Sequence, residues 1–210
     1  MRHCAGAAIL AVVISSAAAA QTFDPKARTI TCSGPFAKNS SHAKVVEAFG
    51  RENVTYLTLT QTVEGDLPHT VIFPNDPKSR LLIFWNDDKN RRTVASIFVR
   101  AESQWATAKG VRIGSTLADV QTLNGKPFRM TGFFDSSSSG SVTNWQGGAL
   151  SMRAAGCAST PYFAADPAAP PAALSKVKTN VMNPKLFLSS DAAVQATNPR
   201  VYEISVGFNE

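Results

Sequence analysis

The sequence predicts an α+β fold: two helix-plus-antiparallel-strand units, with short helices packed on one face of an antiparallel sheet. Three observations carry this. Residues 40–50 and 115–125 superpose without gaps, and each reads as a short helix. Each is followed by several runs rich in β-branched and aromatic residues. The chain then ends on an alternation, Tyr202, Ile204, Val206 and Phe208 set between Glu203, Ser205 and Gly207, which is the pattern of a half-buried strand.

The two helices take their limits from caps. Ser40 or Ser41 opens the first and Thr116 the second, each offering an oxygen to an otherwise unpaired amide. Asp119, one turn after Thr116, completes a capping-box variant. Gly50 and Gly125 suit the left-handed conformation that ends a helix, and Pro127 blocks continuation of the second. Val45, Val46 and Phe49 fall on one side of the first helix, and Leu117, Val120 and Leu123 on one side of the second. Helices this short do not stand alone in water, so they must pack on the sheet.

Strands are predicted over 54–60, 70–73, 80–85 and 94–100 after the first helix, and over 128–134, 142–146 and 149–153 after the second. Turns fall at 64–66, 74–77, 86–90, 136–140 and Gly147-Gly148, and His69 follows Pro68 in a turn. Residues 164–174 are almost all alanine and proline, which excludes a central strand and predicts a surface loop. Residues 174–181 and 191–196 are helix-like. The organisation is thus a leader over 1–20, a first unit over 21–110, and a second over 111–210 that carries the Ala/Pro-rich loop.

The leader reads as a signal peptide. Arg2 supplies positive charge, residues 5–14 an apolar run, and Ala18 and Ala20 a small-x-small site before Gln21. The run is shorter than a membrane span, and no later segment is long and apolar enough to serve as one. The expected location is therefore the periplasm or the outside of a bacterial cell. Cleavage removes Cys4 and leaves Cys32 and Cys157, an even pair that an oxidising compartment makes a disulfide.

The chain holds 21 Lys+Arg against 15 Asp+Glu, a net charge of +6 that loses one unit with Arg2. The charge forms no block, and Arg91-Arg92 stands beside Asp87-Asp88. Nucleic-acid binding, which wants a basic stripe interleaved with aromatics, is not expected.

The stretch from Gly110 to Phe128 carries a "G-x-S/T-x-x-x-V-x-x-x-x-G-x-P" pattern over Gly114, Thr116, Val120, Gly125 and Pro127. It resembles the repeat of small exported bacterial proteins, among them the outer-membrane assembly lipoprotein BamE and the tandem-repeat β-lactamase inhibitory proteins. The first unit matches only in its capping serines, Val45 and Gly50. The resemblance implies a helix leading into an antiparallel sheet, a fold more than a function. The chain departs from the inhibitors, which carry a disulfide in each repeat, and it has no lipobox cysteine.

No catalytic motif appears. His42 and His69 have no histidine or cysteine at metal-ligand spacing, and no Gly-x-Ser-x-Gly elbow or phosphate-cradling glycine loop occurs. Asp87, Asp88 and Asn90 crowd one turn, but their spacing is not that of an EF-hand. No cofactor and no metal are expected. The functional lead is aromatic: Tyr56, Trp85, Trp105 and Trp145 sit in or beside predicted strands, where exposed aromatics serve as binding anchors. Core packing is the ordinary fate of such residues. Trp105, flanked by Gln104 and Ala106 in a polar stretch, is the one expected at the surface. The expected function is non-enzymatic contact with another envelope protein. The alternative is binding of a small molecule or cell-wall fragment in a pocket between the two units.

Overall fold

Caps and alternation set most of the elements. A computed structural model describes residues 24–62, 65–134, 140–151, 156–180 and 182–208. The expected signal peptide, the mature start at Gln21, most of the 136–140 turn and the end of the 149–153 run lie outside the described residues. In chain order the elements are β1 (Thr29–Ile30), α1 (His42–Phe49), β2 (Val54–Thr62), β3 (Gly65–Ile72), β4 (Leu81–Asp87), β5 (Arg92–Arg100), β6 (Ala106–Thr107), α2 (Leu117–Asn124), β7 (Arg129–Thr131), β8 (Gly140–Asn144), β9 (Cys157–Ala164), α3 (Pro171–Val177), β10 (Leu186–Leu188), α4 (Ala192–Gln195) and β11 (Arg200–Phe208). The fold is α+β, as the residue patterns predict.

Ser41 caps α1 by accepting from the Lys44 amide. Thr116 and Asp119 complete a reciprocal capping box on α2, and Gly125 ends that helix at φ 76°, ψ −2°. Gly50 also has positive φ, 86°, but with ψ 143° it closes no left-handed turn and opens a 3-10 turn over Arg51–Asn53 that precedes β2.

Nine strands form one sheet in the order β10-β7-β8-β9-β11-β5-β4-β3-β2, every neighbouring pair antiparallel. Strands β2 to β5 are contiguous in space and in sequence, and the later strands form the other half. The halves join where β11 pairs with β5, with Ile204 opposite Val99 and Val206 opposite Ile97. A small parallel pair, β1 with β6, ties the N-terminal segment to the connector between the halves. Val45 and Phe49 of α1 and Leu117 and Val120 of α2 share one core cluster with Ile72, Ile83, Ile97, Ile204 and Phe163 of the sheet. Burying a side chain of this size is worth about 1.5–3 kcal/mol.

Several expectations need correction. The 149–153 run is a 3-10 turn over Ala149–Ser151, because Ser151 N and Oγ both bond back to the Gly148 carbonyl. His69 lies within β3, which begins before Pro68 and pairs Leu59 with Leu67 and Thr58 with Pro68. Strand β9 escapes sequence reading because of Pro161. The proline is tolerated because β8 reaches β9 only at Gly140↔Phe163 and Ser141↔Tyr162, so position 161 is paired on one side alone. The Ala/Pro-rich segment is no free loop: Ala165, Ala169 and Ala173 are buried, and α3 starts inside it with Pro171 in its first turn.

Cys32 and Cys157 stand at disulfide distance, with Cα atoms 6.1 Å apart and 125 residues between them in sequence. The bridge joins the segment after β1 to the start of β9, and so closes a loop of 125 residues' separation that leaves β9 to β11 outside it. Trp105 is fully buried, against the expectation of a surface position. Its ring packs edge-on to Phe36 (5.4 Å) and Phe49 (6.0 Å), and its indole N–H donates to the Ser79 carbonyl at 2.7 Å.

Two stability outcomes follow. Replacing Cys32 and Cys157 together by alanine lowers unfolding stability by up to about 5 kcal/mol on the chain-entropy model, read as a drop in the urea midpoint. Trp105→Ala costs about 3–5 kcal/mol in the same measurement, through the cavity it leaves and the orphaned Ser79 carbonyl.

Candidate functional site

Pleating sorts the sheet's residues onto two faces. Register places Tyr56, Thr70, Ile83 and Ile97 side by side on the core face, where α1 lies. On the other face it aligns Thr55, Val71, Leu82, Phe98, Ser205 and Thr160 in one row, and Leu57, His69, Phe84 and Ser96 in the next. Phe84, Phe98 and Leu82 on that outer face are half-buried, and Leu57 is 48% exposed.

The outer rows form an apolar groove of about 390 Å³ lined by Leu57, His69, Val71, Leu82 and Phe98. The 74–80 loop supplies one wall through Pro74, Pro77 and Arg80, and Arg100 stands at the end. His69 is buried and stacked on Phe84, ring centroids 5.0 Å apart, with Nδ1 3.0 Å from the Leu67 carbonyl. Phe84 meets Phe98 edge-on at 5.5 Å. Arg100 lies over the Phe98 ring at 4.6 Å and pairs with Glu203 at 2.5 Å. Arg80 donates to the Pro74 carbonyl and, among the described residues, pairs with no carboxylate.

The groove opens beside β2, the end strand of the sheet. The Phe73 amide donates to the Asn53 carbonyl, and Val54 stands opposite Ile72. Alternation from that bond turns the backbone amides of Tyr56 and Thr58 away from β3. Among the described residues no strand takes them up. Strand β2 reads Val-Thr-Tyr-Leu-Thr-Leu-Thr-Gln-Thr, without a charge or a proline. Natural edge strands are ordinarily blunted by such residues or by shortness. The opposite edge, β10, has only three residues.

The aromatic residues singled out by sequence fall elsewhere. Tyr56 and Trp85 come together on the core face. Trp85 Nε1 donates to Thr70 Oγ1 at 2.9 Å, and His42 Nδ1 lies 2.9 Å from the same oxygen. With Trp85 donating, Thr70 can offer its own hydroxyl proton to Nδ1, a bond that a neutral imidazole accepts. Tyr56 meets His42 edge-on at 5.8 Å, lies under the Arg91 guanidinium at 4.1 Å, and donates to the Asp88 carbonyl. Burial is the first cause that raises the Tyr56 pKa. Trp145 is half-buried and packs edge-on to Phe128 at 5.2 Å. Trp105 lies in the core, so the four do not make one binding surface. Asp87, in the acidic turn, accepts from the amide and side chain of Asn90.

Sequence reading singled out His69 but set it in a turn, and it missed the groove residues Leu82, Phe98, Arg80 and Arg100. A signal was present: Leu81 to Trp85 and Ile97 to Val99 are apolar at consecutive positions, so both faces of those strands are apolar. No protein-family model, no curated protein and no solved structure matches this chain.

His42 supplies a pH test. Its pKa is lowered from 6.5, first by burial and then by the charges of Arg91 and Arg51. The unfolded chain therefore takes up this proton at higher pH than the folded one. The His42 contribution to stability is present above 6.5 and is lost as pH falls through the folded pKa. Urea midpoints taken on either side of that value fall further for the native chain than for His42→Gln. Equal falls would mean that His42 does not couple folding to protonation.

Proposed function

We propose that this chain is an exported, non-enzymatic binding protein of the bacterial envelope that captures an extended segment of another protein along its open sheet edge. The carrying observation is the nine-residue, charge-free edge β2 beside an apolar groove. An added strand satisfies the outward amides of Tyr56 and Thr58, and its alternate side chains reach the groove at Leu57 and His69. Those side chains are apolar. The residues flanking them are acidic, because Arg80 stands at the groove wall and the whole chain is net positive.

Export is supported by the leader-like first twenty residues and by the Cys32–Cys157 pair at disulfide distance, which suits an oxidising compartment. Among the described residues no helix is long and apolar enough to cross a membrane. The similarity of the 114–127 stretch to the repeats of BamE and the β-lactamase inhibitory proteins points to the same class of role. Among the described residues neither His42 nor His69 bonds to a carboxylate; their ring nitrogens meet Thr70 Oγ1 and the Leu67 carbonyl. A second reading, binding of a small molecule or cell-wall fragment between the two units, is favoured by a cavity of about 760 Å³ that Arg112 and Ile113 share with the first unit.

Titrating the isotope-labelled chain with a short peptide of alternating glutamate and valine tests strand capture. Amide shifts are expected along Val54–Thr62 and at His69 and Phe98, and a lysine–valine peptide produces none. Thr58→Pro removes an outward amide without touching the β3 pairing and abolishes the shifts, while the thermal midpoint stays within a few degrees. Shifts confined to other strands, or surviving Thr58→Pro, would sink the reading.

A further inference from the structure

We propose that the cavity between the two units is a binding site for a small amphiphilic oxyanion, a carboxylate or phosphate carried on an apolar body. This inference rests on the small-molecule reading and is independent of strand capture. The cavity, about 760 Å³, is of the size that takes small ligands. Phe73 and Ile113, both half-buried, give it an apolar surface. Lys26, Arg28 and Arg112 line it as well, brought together from the N-terminal segment and the start of the second unit.

These cations are not spent on contact ion pairs. Among the described residues none of the three makes a salt bridge; Arg28 donates to the Gln104 side-chain carbonyl, which holds its guanidinium at the rim. Asp76 and Glu102 share the lining, but Asp76 turns its oxygens into its own loop. It accepts from Ser79 Oγ at 2.5 Å and from the Lys78 amide at 3.0 Å, and the Ser79 bond is the first cause that keeps its pKa low.

Backbone strain gathers at the same place. Among the described residues eight that are not glycine have positive φ, and three of these line this cavity: Arg28 at 46°, Phe73 at 52° and Ala101 at 55°. Side chains rarely adopt that region, and such residues cluster where a ligand must be met by a fixed shape. The segments carrying them are held by tertiary bonds: the Ala106 amide donates to the Arg28 carbonyl, and Gln104 and Ser103 bond to Lys78 and Arg80. The wall is therefore set before any ligand arrives, and an oxyanion there meets cations from two separate parts of the chain.

Calorimetry on the disulfide-intact chain at low salt, with phenyl phosphate, benzoate and benzyl alcohol as probes, tests the site. One-to-one binding of at least one anion is expected, with none of the neutral alcohol, and the tighter anion tells phosphate from carboxylate. Arg112→Gln weakens that binding at least tenfold, and Lys26→Gln, at an exposed position whose only bond among the described residues is made by its backbone amide to Asp24, serves as the second variant. Added salt weakens binding further. Thr58→Pro leaves it unchanged, which separates this site from the strand edge. No saturable heat from either anion, equal binding of the alcohol, or unaltered affinity in both charge variants would overturn the proposal.

Discussion

Three consecutive carbonyls on one loop bind it to the segment that follows β5. The Lys78, Ser79 and Arg80 carbonyls accept from the Gln104 amide, the Trp105 indole and the Ser103 hydroxyl, at 2.8, 2.7 and 2.7 Å. Trp105 is anchored in turn among Phe36 and Phe49, so the loop is fastened to the same aromatic cluster that seats α1. That loop is a wall of two cavities at once. Phe73, Asp76 and Ser79 face the junction between the units, and Pro74, Pro77 and Arg80 face the outer groove. A change at Trp105 is thereby felt on both sides of the sheet. The buried bonds are costly to leave unmade, which keeps the loop in one arrangement.

The rest of the frame is a matter of joining two halves that sequence keeps apart. The antiparallel seam between β5 and β11 and the Cys32–Cys157 bridge cross between them, and the short β1–β6 pair fastens the N-terminal segment to the connector. The seam buries apolar residues on the core face, while the bridge restricts the unfolded chain. These contributions differ in kind: the seam acts through packing in the folded state and the bridge chiefly through the unfolded one.

What sequence could tell was set by how local the cause is. Helix caps are local, and Ser41, Thr116 and Asp119 are readable because their partners lie within a turn. Strand β11 is readable because one face is buried and the other is not. Trp105 misleads because its neighbours are polar, while the partner that satisfies its indole lies 26 residues earlier in the chain. Strand β9 and the start of β3 are hidden by Pro161 and Pro68, whose tolerance depends on where adjacent strands end. The groove is harder still, since Leu57, His69, Leu82 and Phe98 meet only through register across four strands. The aromatic residues most prominent in the sequence were taken up by the core, as large side chains ordinarily are.

The two ends of the sheet are unlike, and this bears on the stoichiometry that the proposed strand capture would have. A sheet with two long open edges can grow from both and build filaments. Here β2 offers nine residues and β10 three. A strand that settles on β2 consumes the long edge and presents its own far side, which belongs to the partner's sequence and not to this chain. On the proposed strand capture, growth would end after one addition, giving a closed pair instead of a polymer.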